Sequence, residues 1–170
     1  PGGSSGSRSV APFQPWAAAG GGCSRFPVVA GDARTLTGFG VASADMSPEE
    51  AAERIQFHAG PESEAFLGML RPFGGVRREV LADLEGALRA AAPLLQQPQV
   101  ERGLMGALLA IIHLGRAWAL EPGGMLQGNH LISAEEQELL SGFLHSFAYA
   151  VFCLLDGTGE DVAFEDFLAP

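Results

Sequence analysis

The stretch 133–155 constrains the fold more than any other part of the chain. Leu140, Phe143, Leu144, Phe147, Val151, Leu154 and Leu155 recur at steps of three and four residues, the spacing of one helical face, and Tyr149, Phe152 and Cys153 add apolar surface on the other side. A helix that is apolar nearly all round has to be surrounded by protein, so the rest of the chain must supply its neighbours. Its start is marked by Ser133 with Glu136 three residues on, a capping box in which each side chain takes up a free backbone N–H of the first turn.

Those neighbours are legible as further helices. Ser47-Pro48-Glu49-Glu50 combines a second capping box with proline at the first helical position and predicts a helix to about His58, with Ala51, Ile55 and Phe57 inward and Gly60-Pro61 as its stop. A short helix is expected over 61–70 around Phe66, Leu67 and Leu70, then a break at 71–75. The set Val76, Val80, Leu81, Leu84, Leu88 and Ala91 predicts a helix over 76–92 that Pro93 should end, and its polar residues Arg77, Arg78, Glu79, Asp83, Glu85 and Arg89 read as a solvated face. A second long helix is expected over 98–120, with Leu104, Leu108, Ile111, Ile112 and Trp118 inward. Its Gly103, Gly106 and Gly115 each cost about 1 kcal/mol against Ala, which predicts close approach of another backbone, that of the helix 133–155. Gly157 and Gly159 end that helix, and 162–168 forms a short closing segment.

The expected fold is therefore all-α: a compact bundle of about five helices in a domain spanning 46–170, with a short acidic C-terminal tail. An extended Gly/Pro/Ala-rich arm, residues 1–45, precedes it. Within the arm, Phe13 and Trp16, bracketed by Pro12 and Pro15, are the natural anchors for docking on its own domain or on another copy.

Charge narrows the class of partner. Twenty acidic residues face ten basic ones, all Arg, for a formal net charge of −10, which disfavours nucleic acid and anionic lipid. After Arg116 no basic residue follows, whereas Glu135, Glu136, Glu138, Asp156, Glu160 and Asp161 do, so the C-terminal third should present a negative surface. Cys23 and Cys153 do not make a disulfide framework, and with no signal-like segment in the first thirty residues they point to a reducing, cytoplasmic setting. The longest strongly apolar runs, 104–112 and 147–155, fall short of the roughly 20 residues that span a bilayer, so no membrane segment is expected.

Catalytic and metal signatures are sparse. The chain has no Lys for a phosphate loop, no Cys-x-x-Cys and no Gly-x-Ser-x-Gly. The segment 156–167 has the Asp-Gly-x-Gly look of a calcium loop, but the spacing fails: with Gly159 as the required glycine the first ligand is Leu154, and with Asp156 first the twelfth is Phe167. No metal and no cofactor is expected. If the two long helices pair antiparallel around 121–132, His113 lies opposite Leu140, His145 opposite Leu108 and Arg116 opposite Gln137, between Glu136 and Glu138. An interhelical salt bridge from Arg116 is the simplest outcome.

The preferred function is non-enzymatic: a cytoplasmic helical interaction protein of the immunity or regulatory type. It would offer an acidic face, with Glu135, Glu138, Glu160 and Asp161, to a basic protein partner. One alternative is a helical-bundle enzyme or small-molecule-binding protein whose pocket is built from His113, Arg116, His145 and the loop residues Gln127, Asn129 and His130. Another is a structural subunit that self-associates through the N-terminal arm.

Overall fold

Both capping boxes form. Ser47 accepts the Glu50 N–H at 3.2 Å while the Glu50 carboxylate accepts the Ser47 N–H at 2.9 Å, and Ser133 and Glu136 repeat the exchange at 3.2 and 3.0 Å. These hydrogen bonds hold both glutamate carboxyls below their ordinary range, the backbone N–H of each cap serine being the largest cause.

The computed structural model of the chain describes residues 46–167, which lie in the second of the two units into which the chain divides, Gly40–Pro170. Phe13, Trp16 and the expected arm lie outside the described residues. Among the described residues there is no strand. There are seven α-helices, α1 (Pro48–His58), α2 (Phe66–Leu70), α3 (Arg78–Leu95), α4 (Arg102–Ala119), α5 (Met125–Gly128), α6 (Ala134–Asp156) and α7 (Glu160–Ala163), followed by a 3-10 turn at Glu165–Phe167. The all-α bundle holds, with two short helices beyond the five expected.

The four long helices close a ring. α1 packs on α3 and α4, and α6 packs on the same two, so the order around the core is α1, α3, α6, α4. Ile55, Leu84, Leu88, Leu108, Ile111, Leu140 and Phe147 meet in that core fully buried, each contributing about 1.5–3 kcal/mol relative to exposure. α2 lies against α4, where the Phe66 ring and the Leu144 side chain would both stand 3.1 Å from a Cβ on Gly115. Here glycine admits two side chains rather than a second backbone. Gly106 differs again, because nothing lies within 4 Å of the place its Cβ would take.

Several elements depart from the sequence reading, among them α4, which starts at Arg102 rather than 98 because Glu101 caps it through the Leu104 N–H. Pro93 does not end α3, which runs to Leu95 with Pro93 exposed in its last turn; Ala91, Ala92 and Leu95 are buried there, and that burial offsets the single lost N–H. α2 is shorter than 61–70, starting at Phe66. Gly68 fits so closely under the 61–62 backbone that a Cβ would overlap the Glu62 carbonyl. The connection 121–132 contains α5, anchored by fully buried Leu126.

α6 has the length and apolar composition to cross a bilayer, with a window of mean hydropathy 1.5, of which 39% is buried. The apolar run 147–155 is short by itself, but Ser141, Gly142, His145 and Ser146 extend the window toward the N-terminal end of α6 without adding acidic, Lys or Arg residues. It packs as a bundle helix, against α3 and α4 along its length and α7 near its end. The chain end is fastened by Arg89, whose guanidinium lies 4.3 Å from the Phe164 ring centroid, and by Gln96, which donates to Glu160 at 3.2 Å.

Gly124 tests the packing of the α4–α5 turn, since a Cβ there would stand 2.5 Å from the Ala117 carbonyl. Gly124→Ala is expected to lower stability by about 1–3 kcal/mol, measured as a fall in the urea midpoint with an unchanged slope.

Candidate functional site

Six polar residues on α4, α6 and the loop between them were expected to surround a pocket, and the structure does not gather them into one. His113, Arg116, Asn129, His130 and His145 are exposed and Gln127 is half-buried. The loop residues are engaged locally: Gln127 donates to the Ala119 and Leu120 carbonyls at 3.1 and 2.8 Å, capping the end of α4, and Asn129 donates to the Met125 carbonyl at 2.7 Å. The Arg116 salt bridge does not form. Glu136 turns instead to its cap and to the Val76 N–H, 3.1 Å away. The helix register explains this, because Gly115 meets Leu144 and so α6 is displaced by about six residues from the pairing that sets Arg116 beside Glu136 and Glu138.

Two open grooves cross the surface, and none of those six residues lines either. One, of about 330 Å³, lies between α1 and the α3–α4 connection and includes Glu49, Glu53, Gln56 and Glu101. The other, of about 480 Å³, lies between α3 and α6, with Arg78, Glu85, Glu138, Gly142, Phe143 and Phe167 among its lining residues. No group of three or more His, Cys, Asp or Glu side chains suited to a metal ion occurs among the described residues.

The polar cluster that is built into the fold was missed in the sequence. His58 is fully buried at the end of α1. Its Nδ1 accepts the Phe66 N–H at 3.2 Å, so the ring proton sits on Nε2, which donates to Asp83 Oδ2 at 3.0 Å. Arg54, one turn earlier on α1, reaches the same oxygen from Nε at 2.7 Å and from its terminal nitrogen at 2.6 Å. Burial pushes the Asp83 carboxyl up, but the hydrogen bonds from His58 and Arg54, together with the Arg54 charge, outweigh it and hold the group below its ordinary value. The sequence signal was available: His58 continues the Ala51 and Ile55 spacing, which places it on the buried face. Because Nδ1 is committed to a backbone donor, this imidazole has no nitrogen left for a substrate proton, and the Arg–Asp–His arrangement ties α1 to α2 and α3.

Two surfaces stand out on the outside. On α4 the exposed stripe carries Leu109, 59% exposed, and on α6 it carries Phe152, 63% exposed, with Tyr149 and Leu155 at 40% each. At the far end of α6, Asp156, Glu160, Asp161 and Glu165 are all exposed, while Glu135 and Glu138 are exposed at the start of the same helix. The 23 residues of α6 separate the two acidic groups by ~30 Å at 1.5 Å per residue. No family model matches the chain, and no curated protein or solved structure is significantly similar to it.

Asp83→Ala leaves the buried Nε2–H of His58 without its acceptor and is expected to lower stability at neutral pH by about 1–2 kcal/mol. A depressed carboxyl contributes fully above its ordinary value of 3.8 and loses that contribution as pH falls through its lower folded value. The gap between wild type and variant should therefore be constant down to about pH 4 and narrow below it, read from urea unfolding across pH.

Proposed function

We propose that the protein is a non-enzymatic helical interaction protein, cytoplasmic and of the immunity or regulatory type, that offers an acidic surface to a basic protein partner. The observation that carries this reading is the set of exposed carboxylates just beyond α6, Glu160, Asp161 and Glu165. The peptide dipoles of α6 leave its C-terminal end partially negative, which adds to the field of these carboxylates, while Glu160 and Asp161 themselves stand in the first turn of α7. Gly157, in the left-handed conformation at φ 76°, closes the helix at this point; no Lys or Arg follows Arg116 in the chain, and Arg89, which lies over the Phe164 ring, is paired with Glu85. A Lys- or Arg-rich partner surface supplies the missing counter-charge and gains both steering and affinity from it.

Leu155 and Val162, 40% and 37% exposed, lie beside these carboxylates, so the surface offers apolar contact next to charge, as protein interfaces do. Glu135 and Glu138 form a separate acidic patch at the other end of α6. The measurement is capture of lysate proteins on the immobilised chain at low and high salt, with the bound proteins identified. The combined variant Glu160→Gln, Asp161→Asn and Glu165→Gln is expected to lose the salt-sensitive partners, with affinity for each falling about tenfold or more. Retention of the same partners at low salt by that variant would sink the reading.

A further inference from the structure

The outward faces of α4 and α6 repeat at alternating steps of four and three residues. On α4 the series is Arg102, Gly106, Leu109, His113 and Arg116, and on α6 it is Glu138, Gly142, His145, Tyr149, Phe152 and Asp156, every one exposed. Such steps trace one face of an α-helix, and here that face lies on the side away from the core. The two stripes differ in sign: α4 contributes Arg102 and Arg116 with no acid, and α6 contributes Glu138 and Asp156 with no base. Gly106 and Gly142 sit mid-helix with open space around them, nothing lying within 4 Å of an added Cβ. Gly142 borders the groove between α3 and α6, whereas no described residue approaches the place a Gly106 side chain would take.

We propose that this face is the contact between two copies of the chain, with α4 of each lying antiparallel on α6 of the other. Charge selects this arrangement over α4 on α4, which would oppose Arg to Arg. Symmetry then fixes the register. A two-fold axis parallel to the helices leaves every residue at its own height, so α4 meets the second copy's α6 in the same pairing of levels as it has with its own. Within one copy Gly115 stands level with Leu144. Counting back along α4 and forward along α6 brings Gly106 level with Phe152–Cys153, Leu109 with Tyr149–Ala150, and Arg102 with Asp156–Gly157. Phe152, the most exposed of the large hydrophobic side chains, therefore faces the notch at Gly106, and Arg102 opposes Asp156, while Arg116, level with Phe143, stands about five residues or ~7.5 Å along the axis from Glu138. A face ~27 Å long and two helices, ~20 Å, wide is of the same order as the ~800 Å² that each partner contributes to a standard interface.

The test is sedimentation velocity on the full chain over a wide concentration range. Wild type is expected to dimerise. Gly106→Leu fills the notch with a better helix former, so it should melt no lower than wild type yet weaken the dimer at least tenfold, the scale of a lost interface anchor. Arg102→Glu and Asp156→Arg should each be monomeric alone, because each homodimer then carries two like-charge pairs. Mixed one to one they should dimerise, because in the mixed dimer one contact pairs the two substituted side chains, acid with base in reversed order, and the other pairs native Arg102 with native Asp156. A wild type that stays monomeric, a dimer indifferent to Gly106→Leu, or a mixture of the charge variants that fails to associate would each overturn the proposal.

Discussion

A neutral imidazole with both nitrogens engaged holds the first half of the bundle together. His58 accepts the N–H that opens α2 and donates to a carboxylate on α3, while lying fully inside the protein at the end of α1. A hydrogen bond of this kind adds only about 1 kcal/mol net, but a buried donor without its acceptor is considerably more costly. The cluster therefore acts as a restraint on geometry. α2 can sit against α4 only where its first N–H meets Nδ1, and α3 can sit against α1 only where Asp83 meets both Nε2 and Arg54. Placement of Phe66 beside Gly115 and Leu144 follows from that, and with it the register of α4 on α6.

Much of the fold was legible because the signals were local. Both capping boxes, the proline at the first position of α1 and the glycine after α6 act within a few residues, and each marked its boundary correctly. Pro93 misled because its local penalty competes with burial of Leu95, a term supplied by tertiary packing. α5 was missed for a similar reason. Met125, Leu126 and Gln127 are good helix formers, but four residues are too few to nucleate a helix alone, and buried Leu126 and the Gln127 cap hold them.

The candidate site was less legible. His113, His145 and Arg116 looked related because a plausible loop geometry set them near one another, and a shift of six residues along α6 separates that arrangement from the observed one. Side-chain spacing along one helix is fixed by its 3.6-residue turn, but the offset between helices is set by long-range contacts such as Gly115 with Leu144. Asp83 was read as solvated because its neighbours Arg78, Glu79 and Glu85 are polar, and the role of His58 depended on a partner 25 residues away. The exposed apolar stripe was hidden by the same helix that disclosed the core, since apolarity all round does not say which side the rest of the chain will cover.

Glu136 links two distant events. Its carboxylate closes the first turn of α6 and also takes the Val76 N–H, 60 residues away in sequence. Helix ends ordinarily fray independently of the rest of a domain, opening and closing with little effect elsewhere. Here fraying at Ser133 would release the entry to α3, and loosening before Arg78 would expose a carboxylate at the start of α6. The two helix entries are thus tied through the two oxygens of one carboxylate, so that whatever displaces Glu136 acts on both.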